Sequence, residues 1–288
     1  MWKLNVFLLP CKNFNTLTQE QLIEFDDRIT ELETEENFQI PNKFFDSKDI
    51  NQQTFYEAIY DGMQTDLSDY LIEIITKKPT LDMDYAKIEE QNNFAYTGIV
   101  YDDINEDKKH LSIFALKDEI DKSNNYEGII PNDMIKVRRN YLERCGTFKM
   151  FEERAIRCFH RMIFHPDAFK HITRLGKFQD VIKELMRHLC VLNDYGDKVY
   201  DYTGKNEKNA LLELQSCFKI YCSGKGSNET MTYNKDMYFK GEKYSLTCNP
   251  HTKLFKKHSN QRIYFCWGRV EIDNHKIIIV RIGDHWNE

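Results

Sequence analysis

Proline and glycine are scarce, 6 and 12 in 288 residues. Nothing resembles a low-complexity linker, and no internal repeat is present. Long apolar runs are also missing. The opening stretch MWKLNVFLLPCKNF holds a short apolar run cut off at Pro10, and no other run approaches the roughly twenty residues of a spanning helix. The chain is therefore expected to be soluble and cytoplasmic, with no membrane role. The 8 cysteines (11, 145, 158, 190, 217, 222, 248 and 266) lack paired C-x-x-C spacing. They read as reduced, buried small hydrophobes, so no metal and no cofactor is expected.

Apolar residues make up 41% and aromatics 13%, enough for a full core. Charge is uneven. Residues 1–140 carry 15 Lys+Arg against 28 Asp+Glu, and residues 141–288 carry 25 against 18. A basic half suits a polyanion such as RNA, and an acidic half suits a protein partner.

The sequence predicts an α+β protein in two parts: an acidic α/β domain over 1–135, and a basic domain over 136–288 in which a helical segment leads into a small antiparallel sheet. In the first part, Lys3–Leu9 reads as a strand. Thr18 with Gln21 reads as a capping box before a helix over Glu20–Glu33. Asn51–Lys77 reads as one long amphipathic helix closed by Pro79, and Phe94–Tyr101 and His110–Leu116 as strands. The polar stretch over 117–140 marks the boundary. Helices follow at Phe148–Phe164, Pro166–Arg174, Phe178–Asn193 and Lys205–Gln215. Strands follow at Cys217–Cys222, Glu229–Phe239, Tyr244–Asn249, Gln261–Trp267 and His275–Gly283, the last two as a hairpin.

Basic and imidazole groups gather at the strand ends of this closing region, with no carboxylate pair among them. That set suits RNA cleavage without metal. A 2′-hydroxyl attacks the neighbouring phosphate, imidazoles carry protons, and cations steady the transition state. His251, Arg262 and His285 are the catalytic candidates. Lys253, Arg269, Arg281, Trp286 and Lys225 are the nucleic-acid-binding candidates, and Trp267 is a further stacking candidate.

The run RIYFCWGR…HKIIIVRIGDHW resembles the end of RelE-like ribonuclease toxins. The resemblance covers the chain from about Phe178 onward. It implies a small antiparallel sheet packed on helices and metal-independent mRNA cleavage. Arg262 would match the Arg opening the family's penultimate strand, and His285 its C-terminal His or Tyr. The chain is about three times too long for that family, and its acidic half has no counterpart there. Some larger antiviral-defence effectors combine a nuclease module with such a region. The alternative is a non-catalytic module that binds nucleic acid or a partner.

Other candidates carry less. SGKGSN at Ser223–Asn228 lacks phosphate-loop spacing and reads as a hairpin turn. His160, His165 and Cys158 fall on one amphipathic segment without ligand spacing. Cys190 beside His188 reads as core. Asp66, Asp69 and Glu73 read as a solvated helix face.

Overall fold

The computed structural model describes residues 2–8, 17–46, 48, 52–82, 94–98, 113–115, 134–225, 233–273 and 276–286. The chain has both helices and strands, of α+β type. It divides into two compact units, Met1–Arg138 and Arg139–Glu288.

The first unit holds strands β1 (Asn5–Leu8), β2 (Asn37–Pro41), β3 (Thr80–Leu81), β4 (Phe94–Gly98) and β5 (Ile113–Ala115). Their order is β3-β2-β1-β4-β5. The first four run parallel and β5 runs antiparallel to β4. Helix α1 (Gln19–Glu35) starts at the Thr18–Gln21 capping box and buries Leu22, Phe25, Ile29 and Leu32. The predicted single helix over 51–77 is two helices, α2 (Phe55–Gly62) and α3 (Thr65–Thr76). Gly62 is a poor helix former, and Met63 and Gln64 are extended. The apolar spacing runs on through this break, so periodicity alone joins the two.

Helix α4 (Met134–Glu143) contributes Arg138 to this unit. Arg138 Nε donates to Glu36 Oε1 at 2.7 Å, and Glu36 Oε2 accepts the Leu4 N–H at 2.7 Å. The Glu36 side chain is fully buried at the seam of β1 and β2.

The second unit opens with α5 (Phe148–Cys158) and β6 (Met162–Phe164). A 3-10 turn (Ile172–Leu175) leads into α6 (Phe178–Val191), a π-helical turn (Leu192–Gly196), α7 (Asp197–Tyr202) and α8 (Glu207–Phe218). Arg139 fastens the π turn by gripping both oxygens of Asp194 at 2.7 Å. Strands β7 (Tyr221–Ser223), β8 (Asn234–Phe239), β9 (Glu242–Thr247), β10 (His251–Lys253), β11 (Arg262–Cys266) and β12 (Ile277–Gly283) complete the unit.

The sheet order is β6-β12-β11-β10-β7. The expected hairpin is present as β11 and β12, but the sheet is mixed, because β6 pairs parallel with β12. Met162–Phe164, read as the end of a helix, is that edge strand. Pro166–Arg174, also read as helix, gives only the short 3-10 turn. The expected strand at Tyr244–Asn249 does not join the sheet. Its residues form most of β9, which pairs with β8 as a separate two-stranded hairpin. The place beside β11 belongs to β10, which the sequence did not announce.

All seven residues of β12 are buried, as expected for a strand with neighbours on both sides. The register slips once. Tyr264 faces Arg281, but Phe265 faces Ile279, so Val280 is an extra residue in β12. Such a bulge turns two consecutive side chains toward the same face. Val280 and Arg281 thereby join Tyr264, Cys266 and Ile278 on the face that the β8–β9 hairpin covers, against Met237 and Leu246.

Candidate functional site

The registers set two rows across the sheet. His251 faces Tyr264, and Tyr264 faces Arg281. One step along, Tyr221 faces Lys253, Lys253 faces Arg262, and Arg262 faces Gly283. Side chains two apart on a strand share a face, so His251, Lys253, Arg262, Tyr264 and Arg281 all stand on one face. His285 follows two residues beyond the end of β12.

The second row is the wet end of that face. Lys253, Arg262 and His285 are partly exposed, and Tyr221 is 38% exposed. Arg262 has a fixed posture. Its Nη1 donates to the Tyr264 hydroxyl at 3.2 Å and its Nε to the Ser259 carbonyl at 3.5 Å. It has no carboxylate partner among the described residues, so the rest of its donor fork is unspent. The Tyr264 hydroxyl also accepts the Trp286 N–H at 3.1 Å. One buried phenol therefore fixes both Arg262 and the backbone next to His285.

The first row is dry. His251 is 4% exposed, and its ring lies 5.0 Å from that of Tyr264. Its Nδ1 lies 3.0 Å from the Asn249 carbonyl. A carbonyl only accepts, so Nδ1 carries the proton. Nε2 then holds a bare lone pair, buried and without a partner among the described residues. Burial pushes the imidazole down to about 4, and nearby Arg262, Lys253 and His285 press the same way, while the bond to Asn249 works against them. His251, a proton-carrier candidate in the sequence, is thus shut beneath the surface as a neutral ring.

The unfolded chain protonates His251 near 6.5 and the folded chain only near 4. The folded state therefore keeps the full benefit of the neutral ring above pH 6.5 and loses it as pH falls toward 4. The loss is expected to reach about 3 kcal/mol for this group. Titration of the His251 ring protons by NMR checks it: a midpoint near 4 is expected, and an ordinary midpoint near 6.5 would contradict the burial.

Packing sets two of the expected nucleic-acid contacts back from the open surface. The Arg281 side chain is only 6% exposed and its Nη2 donates to Asp284 at 2.7 Å. Trp286 is 8% exposed and stacks on Tyr233 at 5.0 Å, with the Arg281 guanidinium 5.7 Å from its ring centre. Trp267, the other stacking candidate, is buried with its ring parallel to Tyr200 at 4.4 Å. Arg269 and Lys225 are exposed, but they lie past the ends of β11 and β7 and outside the row.

Tyr221, Tyr264 and Ser259 belong to the site and were not singled out in the sequence. Only the alternation of Arg262, Tyr264 and Cys266 along one strand hints at Tyr264. Among the described residues no group of three or more His, Cys, Asp or Glu is placed to hold a metal ion. Cys190 is pushed up to about 11 by burial and Cys222 to about 12, which makes both poor nucleophiles at neutral pH. No described helix is long and apolar enough to cross a membrane.

The chain matches no family model, no curated protein and no solved structure.

Proposed function

We propose that the second unit is a metal-independent ribonuclease whose working surface is the wet end of the sheet. The observation that carries this is Arg262: a preset guanidinium with unspent donors and no carboxylate partner among the described residues, beside Lys253, with Arg262, Lys253 and His285 all close enough to His251 to act on it electrostatically. A phosphodiester is the natural acceptor for such a fork. In this reading Arg262 and Lys253 hold the phosphate. His285 takes the proton from the 2′-hydroxyl as its oxygen bonds to phosphorus. The bond to the 5′-oxygen breaks, and that oxygen takes a proton from Lys253 or solvent. His251 supports the row from beneath.

One observation favours a second reading. With His251 buried, His285 is the one imidazole left to this row among the described residues, and a surface that only binds nucleic acid needs no more. Labelled RNA incubated with the full chain in EDTA separates the two. Cleavage that disappears in His285→Ala and Arg262→Ala supports the enzyme. Binding by the wild type without cleavage supports the binding module. Cleavage abolished by EDTA would replace both with a metal-dependent nuclease.

A further inference from the structure

On the same sheet face, beside the row just described, a small open pocket lies between Asp167, Lys170, His171, Lys235, Arg281 and Trp286. Its wall is firmly held. His165 is 6% exposed; its Nε2 donates to the Asp236 carbonyl at 2.9 Å and its Nδ1 accepts the Asp167 N–H at 3.0 Å. That pins the segment carrying Asp167, Lys170 and His171 against β8. Gly283 lets the same segment close in on β12, since a Cβ there would sit 2.8 Å from the His171 carbonyl oxygen.

The lining is cationic on balance. Lys235 pairs with Asp167 at 2.7 Å, and that contact holds the Asp167 carboxyl below its usual range. Arg281 is committed to Asp284 through one nitrogen only, and its buried Nε has no partner among the described residues. Lys170 is exposed and has no carboxylate partner among the described residues.

We infer that this pocket binds a phosphate group, and that in the full reaction it holds the phosphate flanking the one at Arg262. The second half of the inference rests on the ribonuclease reading; the first does not. Arg281 stands two residues from Gly283, the register partner of Arg262. Strand spacing and rise put the two arginines roughly 8 Å apart, Cα to Cα. One nucleotide step covers that distance. Lys170 supplies an exposed charge, Lys235 a second one held in place by Asp167, and Arg281 at the floor gains an acceptor for its unused donor.

The test uses inorganic phosphate and the full chain. The indole N–H signal of Trp286, assigned with Trp286→Phe, is followed by NMR as phosphate is added, with chloride at matched ionic strength as control. A saturable shift specific to phosphate is expected, with the dissociation constant raised about tenfold in Lys170→Glu, a surface change that leaves the fold intact. No shift, or the same shift with chloride, would overturn the pocket. Lys170→Glu should also weaken a trinucleotide more than a dinucleotide, and equal weakening would overturn the flanking-phosphate assignment. If phosphate binds but RNA does not, the pocket stands and the ribonuclease reading falls.

Discussion

Arg262→Ala is expected to lower RNA cleavage in EDTA by about 10²–10³-fold, the usual loss when a preset donor at developing negative charge is removed. The size of the effect follows from how the side chain is held. Tyr264 and Ser259 fix the guanidinium before any substrate arrives, so little ordering remains to be done in the transition state. No acidic neighbour among the described residues competes for it. Arg262→Lys keeps the charge but loses the planar fork and both orienting bonds, so it should recover only part of the activity. Single-turnover rates on a labelled oligonucleotide measure both. A full recovery in Arg262→Lys would mean that charge alone matters and that the Tyr264 bond is incidental.

Glu36→Ala is expected to cost the first unit about 3–5 kcal/mol, the range for breaking a buried ion pair by removing one partner. Glu36 satisfies two groups at once, the Arg138 guanidinium and the Leu4 N–H of the strand start. Truncation leaves a buried cation and a buried donor stranded together. Replacing both members with methionine removes the charges as a pair and should cost far less. Denaturant unfolding of the two variants against the wild type makes the comparison. A loss below about 1 kcal/mol in Glu36→Ala would place the pair among surface salt bridges.

The parts of this molecule legible in its sequence are those where one local rule acts alone. The apolar runs Ile263–Trp267 and Ile277–Val280, joined by a short polar connection, announce a hairpin, and the registers bear it out. The Thr18–Gln21 box announces the start of α1. What stayed hidden depends on partners far along the chain. Met162–Phe164 is three residues of strand after a helix, and only its parallel pairing with β12 makes it one. His251–Lys253 is equally short and follows a proline, and it is a strand because β11 and β7 flank it. The fate of Arg281 could not be read either. Its place between Val280 and Ile282 suits a solvent-facing cation, but the extra residue Val280 turns it onto the covered face, where Asp284 holds one of its nitrogens. Arg262, Lys253 and His285 were legible as chemistry. That Lys253 and Arg262 share a face with His251 came from register, and that His251 is shut away from solvent came from burial.

In the proposed reaction Arg262, Lys253 and His285 form one surface that holds and breaks an RNA backbone by internal attack of the 2′-hydroxyl. The most direct measurement is the chemistry of the new 3′ ends when single-stranded RNA is incubated with the full chain in EDTA. Ends bearing a 2′,3′-cyclic phosphate are expected. Uncleaved RNA, or ends bearing a free 3′-hydroxyl, would contradict it.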